Sequence, residues 1–145
     1  MILQKTLTKT ARANITIILI FLATVSITYA AESINSIYPE DKIKDQISQH
    51  NWQYYKVELD NPAKLTIKLR KISDDVDLYV SKNQKPTTDN FICAPRKSGK
   101  RIETCRLNSQ EADIIYIGIY GKADSDYQLG LSAHEQELVS WSDYK

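Results

Sequence analysis

Few side chains in this 145-residue sequence can exchange a proton near neutral pH, because only two histidines, His50 and His134, are present. Neither lies in a catalytic motif. The run His134-Glu135-Gln136-Glu137-Leu138 opens like a zinc-protease helix but places Leu138 where the second metal-binding histidine must fall, one helical turn on. No Gly-x-Ser-x-Gly elbow occurs. Asp74, Asp75 and Asp77 are near enough to act as paired carboxylates on a glycosidic bond. Asp75 and Asp77, however, fall on one face of an expected strand. The same three aspartates offer hard oxygen ligands for calcium near a strand start, although the Asp-x-[Asp/Asn]-Gly loop of a defined site is missing and a solvated acidic turn is the competing reading. The expectation is a chain that is not an enzyme, with calcium as its one candidate cofactor.

Residues 1–30 have the grammar of a secretory signal: Lys5, Lys9 and Arg12, then an apolar run over 15–27, then Thr28-Tyr29-Ala30. Cleavage after Ala30 puts small side chains at the two positions the peptidase reads. A retained anchor is the competing reading, but the apolar core falls short of the ~20 residues that span a bilayer. Cleavage removes three of 19 basic residues and leaves 16 against 18 acidic, a formal charge of −2 over 115 residues. That balance does not attract nucleic acid, even around Arg96, Lys97, Lys100 and Arg101. The exported chain is expected in the periplasm or the medium, free of the membrane.

Both cysteines, Cys93 and Cys105, lie in the exported part, where an oxidising compartment and an even count argue for a bridge. Closing so short a loop restricts the unfolded chain by roughly 3 kcal/mol. Zinc is the alternative, but two thiols without a nearby histidine do not make a zinc set.

Strands must position these groups. Period-two alternation runs through Tyr55, Val57 and Leu59, then Leu65, Ile67 and Leu69, then Val76, Leu78 and Val80, then Ile115, Ile117 and Ile119, and finally Tyr127, Leu129 and Leu131. Residues 91–94 and 102–107 flank Gly99 with equal arms, which reads as a disulfide-stapled hairpin turning near Ser98-Gly99-Lys100. Residues 83–90 form a loop. Residues 31–50 read as a polar, loosely packed lead-in, with a short helix opening at Pro39, and 134–145 as a tail. The prediction is an all-β, jelly-roll-like sandwich of about seven or eight strands with one disulfide. If the alternating apolar positions face inward, Trp52, Tyr54, Tyr79, Tyr116 and Tyr120 face outward as a binding surface. Cross-strand pairing of good strand formers is the simpler account of the same residues.

Taken together, Trp52-Gln53-Tyr54-Tyr55-Lys56-Val57, Asp75-Val76-Asp77-Leu78-Tyr79-Val80, Pro86-Thr87, Cys93-Ala94-Pro95, Ser98-Gly99-Lys100, Glu103-Thr104-Cys105 and Tyr116-Ile117-Gly118-Ile119-Tyr120-Gly121 resemble the bacterial pre-peptidase C-terminal domain over residues 51–133. The resemblance implies a jelly-roll-like sandwich, usually appended to secreted peptidases or polysaccharide-degrading enzymes as a non-catalytic module. Asp74 stands where that family commonly has Gly, and no enzyme domain precedes the module here. The expected function is an exported binding module for a protein or polysaccharide. The alternative is a periplasmic or secreted inhibitor of a hydrolase such as a lysozyme, with residues 83–90 or 95–101 plugging the active site.

Overall fold

The computed structural model describes residues 34–136, so the expected signal peptide and residues 137–145 of the expected tail lie outside the described residues. Eight strands follow one another: β1 (Asn35–Ser36), β2 (Lys42–Ile47), β3 (Trp52–Leu59), β4 (Ala63–Arg70), β5 (Val76–Lys82), β6 (Glu103–Ser109), β7 (Asp113–Gly121) and β8 (Ser125–Glu135). They form two four-stranded sheets, ordered β1-β3-β7-β5 and β2-β8-β4-β6. Only the short β1–β3 pair is parallel; every other pairing between the named strands is antiparallel. No helix occurs among the described residues.

Alternation explains the layering. Through the middle of β4, β7 and β8 alternate residues are aliphatic or aromatic and closed to solvent, with Ile67, Ile115, Ile117 and Ile119 wholly buried. The two inner faces meet in one apolar cluster. Polar links also cross between the sheets: Tyr55 of the first sheet and Tyr127 of the second bring their hydroxyls to 2.8 Å, and Tyr55 donates to Asp45 Oδ2 at 2.8 Å. Burial raises the pKa of both phenols, so both stay protonated and able to donate.

Two expectations require correction. Residues 31–50 are not only a loose lead-in: they supply β1 and β2, and Ile37 and Ile47 enter the core. Pro39 opens no helix, because the chain turns there instead. Tyr38 N–H donates to Asp41 Oδ2 at 2.8 Å, and Glu40 takes φ 72°, the left-handed region that an α-helix excludes. At the other end β8 runs to Glu135, past the expected limit at residue 133.

The cysteine hairpin is the second correction. Cys93 and Cys105 are bonded, with Cα atoms 6.0 Å apart, but they are not partners on two arms of one hairpin. β6, carrying Cys105, pairs with β4, whereas Cys93 bridges Val80 on the open edge of β5. The disulfide therefore ties an edge of one sheet to an edge of the other.

Candidate functional site

Residues 83–102 connect β5 to β6 and do not hang free. Val80 N–H donates to Cys93 C=O at 2.8 Å and Ile92 N–H to Val80 C=O at 2.7 Å, which covers the edge of β5. Further back, Pro86 lies over the outer face of the first sheet, where Tyr54 Oη donates to its carbonyl at 3.3 Å. Gly118 makes this approach feasible: a Cβ there would stand 2.9 Å from both Pro86 Cγ and Trp52 Cζ3.

Four of the five aromatic residues expected on that face, Trp52, Tyr54, Tyr79 and Tyr120, therefore form one cluster. Trp52 stacks on Tyr54 with centroids 5.4 Å apart, and its ring meets Tyr79 and Tyr120 at 5.0 Å each. Phe91 from the loop packs edge-on against Tyr79 at 5.8 Å. Tyr79 is 2% exposed, so its expected place on a wet binding surface is corrected: alternation puts it outside the sheet, but the loop and Trp52 close over it. Trp52, Tyr54, Tyr116 and Tyr120 remain half-buried. Cations sit over three of the rings, Lys85 on Tyr54, Arg96 on Phe91 and Lys122 on Tyr120.

Carboxylates anchor the second half of the loop. Glu103, wholly buried at the start of β6, accepts from Leu78 N–H and Lys97 N–H at 2.5 Å each. One acidic side chain thus supplies both an edge strand and the loop with the acceptors they lack. Desolvation pushes its pKa up to about 7, against the pull of those two backbone donors. Asp75 Oδ1 accepts from the N–H of Gly99, whose φ of 75° suits a residue without a side chain.

The three aspartates of the candidate acidic site take different partners. Asp74 Oδ1 accepts from the Asp75 amide and Asp75 Oδ1 from Gly99, while Asp77, on the same outer side of β5 as Tyr79, is 3% exposed and lies near Tyr79 Oη at 3.4 Å and Lys122 Nζ at 3.8 Å. Asp75 lies immediately before β5 and lines the same depression as Asp77. No group of three or more metal-ligating side chains occurs among the described residues. His50 sits in a left-handed turn before β3, and His134 stands exposed on β8 opposite Lys64.

What the loop leaves exposed differs in character. Ile92 and Ile102 are 51% and 56% exposed, and Lys97, Lys100 and Arg101 cluster around Gly99. Sequence reasoning assigned no role to Glu103, Phe91 or Lys122. A glutamate opening an otherwise apolar inward row was the signal for the first; the other two carry none.

The family model for the bacterial pre-peptidase C-terminal domain matches residues 53–121, from β3 through β7. The chain is 28% identical over 74 residues to a neutral protease of Vibrio proteolyticus, covering 51% of this chain and 12% of that protein. It is 32% identical over 68 residues to alkaline serine exoprotease A of Vibrio alginolyticus, covering 47% and 12%. Among solved structures, the fold is similar to the pre-peptidase C-terminal domain of a Bacillus anthracis collagenase, with a TM-score of 0.56 and 15% identity over 70% of this chain and 96% of that one. It is equally similar to Aeromonas hydrophila PliG, a periplasmic inhibitor of g-type lysozyme, with a TM-score of 0.57 and 11% identity over the same shares. The motif order, the disulfide and the two-sheet architecture agree with the matched span, and residues 53–121 of this chain belong to the bacterial pre-peptidase C-terminal domain family.

Proposed function

We propose that this protein is an exported, non-catalytic binding module that holds a protein partner through residues 83–102. One observation carries the reading: a long connection is fixed by an edge bridge, a disulfide, a buried carboxylate and an aspartate, yet presents Ile92, Ile102, Lys97, Lys100 and Arg101 to solvent. Loops of this length without regular structure are usually functional or disordered, and the anchoring argues against disorder. Rigidity lowers the entropic cost of association. The half-buried rims of Tyr54, Tyr116 and Tyr120 extend the proposed contact. Kinship with domains of secreted proteases supports the exported location.

The test compares the parent with Ile92→Ser and Lys100→Glu, two changes at exposed positions. Cross-linked capture from envelope and culture-supernatant fractions should return a protein partner with the parent and lose it with both variants, while melting temperatures stay within a degree or two. Capture unaffected by either change would overturn the loop as the contact.

A second reading is inhibition of a hydrolase, favoured by the basic tip at residues 96–101. Glycosidase clefts carry paired carboxylates that such a tip complements. The fold similarity to a periplasmic lysozyme inhibitor supports it. Titration of c-type and g-type lysozymes with the protein should then abolish turnover at a one-to-one ratio; undiminished turnover at a large excess removes this reading and leaves the first intact.

A further inference from the structure

The second sheet has an outer face as distinctive as the loop. Alternation sends Lys42 and Lys44 of β2, Lys64, Lys68 and Arg70 of β4, and Arg106 of β6 to the same outward side, opposite the buried rows. The one outward acidic strand residue is Asp126, near the start of β8. Among the described residues none of these six cations forms a salt bridge.

Register arranges them as two walls. Gly130 of β8 pairs with Lys42 on one side and Lys68 on the other; Gln128 pairs likewise with Lys44 and Arg70. Two strand spacings separate the walls, about 9 to 10 Å between backbones, and successive cations along a strand lie about 6.5 to 7 Å apart. Between them runs a floor of Gln128, Gly130 and Ser132, with nothing closer than 4.0 Å to where a Gly130 side chain would begin. Lys42, Lys68, Arg70, Thr66, Gly130 and Ser132 line a depression there, together with Glu40 and Asp41. Gln128 is 5% exposed with its carbonyl oxygen unpaired, and Arg70 Nε is covered and unpaired beside it in register.

We propose that this trough along β8 binds an extended anionic polysaccharide, its carboxylate or sulfate groups between the two cation walls and its hydroxyls on Ser132 and Thr66. Charge complementarity calls for a polyanion. The neutral hydroxyls of Thr66 and Ser132 suit a ligand that also donates hydrogen bonds, as sugar hydroxyls do. Among the described residues no Phe, Trp or Tyr lies on this face to stack on nucleobases, and no aliphatic side chain to enter a bilayer. The trough and residues 83–102 occupy different faces, so either reading can fail alone.

Binding of the protein to immobilised polygalacturonate tests this, with neutral dextran, single-stranded oligothymidylate and phosphatidylglycerol vesicles as the other arms. Polygalacturonate should be retained and dextran not, and affinity should fall at least about tenfold between roughly 50 and 200 mM salt. The double variant K42E/K68E should bind at least about tenfold more weakly at an unchanged melting temperature. K97E/K100E, with the same change in net charge on the loop, should bind within about twofold of the parent. No retention, equal loss in both double variants, or tighter binding to oligothymidylate or vesicles than to polygalacturonate would overturn the proposal.

Discussion

Glu103 shows how one buried carboxyl couples folding to pH. Its ordinary pKa of 4.5 rises to about 7 in the folded protein, because burial penalises the charged form more than Leu78 and Lys97 N–H favour it. Between those values the native state binds more protons than the unfolded one, so this group's contribution to stability declines as pH rises from about 4.5 to about 7 and is level above. Asp77, also raised chiefly by burial, works in the same direction. Asp113 works oppositely: the hydrogen bonds from Lys82 and Ser109 lower its pKa, so its contribution is lost on acidification below its ordinary range. Thermal melting should accordingly decline between pH 5 and 7.5, and Glu103→Gln should flatten that decline without erasing it. The amide turns one of two acceptors into a donor, so the variant should also melt lower at pH 5, by about 1 to 3 kcal/mol of stability. An undiminished slope in Glu103→Gln would assign the titration elsewhere. Tyr79 is a residue-scale case of a different kind. Because Trp52, Phe91 and the loop enclose its ring, Tyr79→Ala should cost about 3 kcal/mol or more, whereas Tyr79→Phe should cost little, since the hydroxyl's bond to Asp77 is long at 3.4 Å. Urea unfolding of the two variants separates ring from hydroxyl.

Among elements, the relation of residues 83–102 to the face beneath them turns on Gly118. Valine is a good strand former and glycine a poor one, so propensity alone expects Gly118→Val to stabilise β7. The close approach of Pro86 and Trp52 argues the reverse: Gly118→Val should destabilise by about 1 to 3 kcal/mol and shift tryptophan emission as Trp52 is displaced. A stabilised variant with unchanged emission would mean the loop does not rest there. The same elements mark how far the sequence could be read. β3, β4, β5, β7 and β8 announced themselves because their inward rows are uninterrupted and apolar. β2 did not, because Asp45 occupies the inward position between Ile43 and Ile47, where it accepts the bonds of Tyr55 and Tyr127. β1, at two residues, is too short to show a period. Equal arms about Gly99 suggested a hairpin because spacing along the chain does not reveal that β6 belongs with β4. Alternation put Tyr79 on the outer side of its sheet, yet nothing periodic in residues 83–91 foretold that they would cover it.

For the whole molecule, the proposed export, the core and the disulfide make one joint requirement. The first strand begins at Asn35, so the expected cleavage after Ala30 falls before the first strand. The bond between Cys93 and Cys105 joins the two sheets at their edges, and its formation needs the oxidising side of the membrane. Expressed from Met1 in a bacterial host, the protein should be recovered from the periplasm or medium beginning at Ala31, with no thiol open to alkylation. Expressed from Ala31 in a reducing cytoplasm, it should carry two alkylatable thiols. Loss of roughly 3 kcal/mol of unfolded-state restriction in a domain of about 100 residues lowers the melting temperature by about 10 °C or more. Oxidation of the purified cytoplasmic protein should restore that difference, because the sandwich already holds the two Cα atoms 6.0 Å apart. A first residue other than Ala31 would move the cleavage site, and equal melting of reduced and oxidised forms would show that the edges stay joined without the bond, by the Glu103 and Val80 contacts alone.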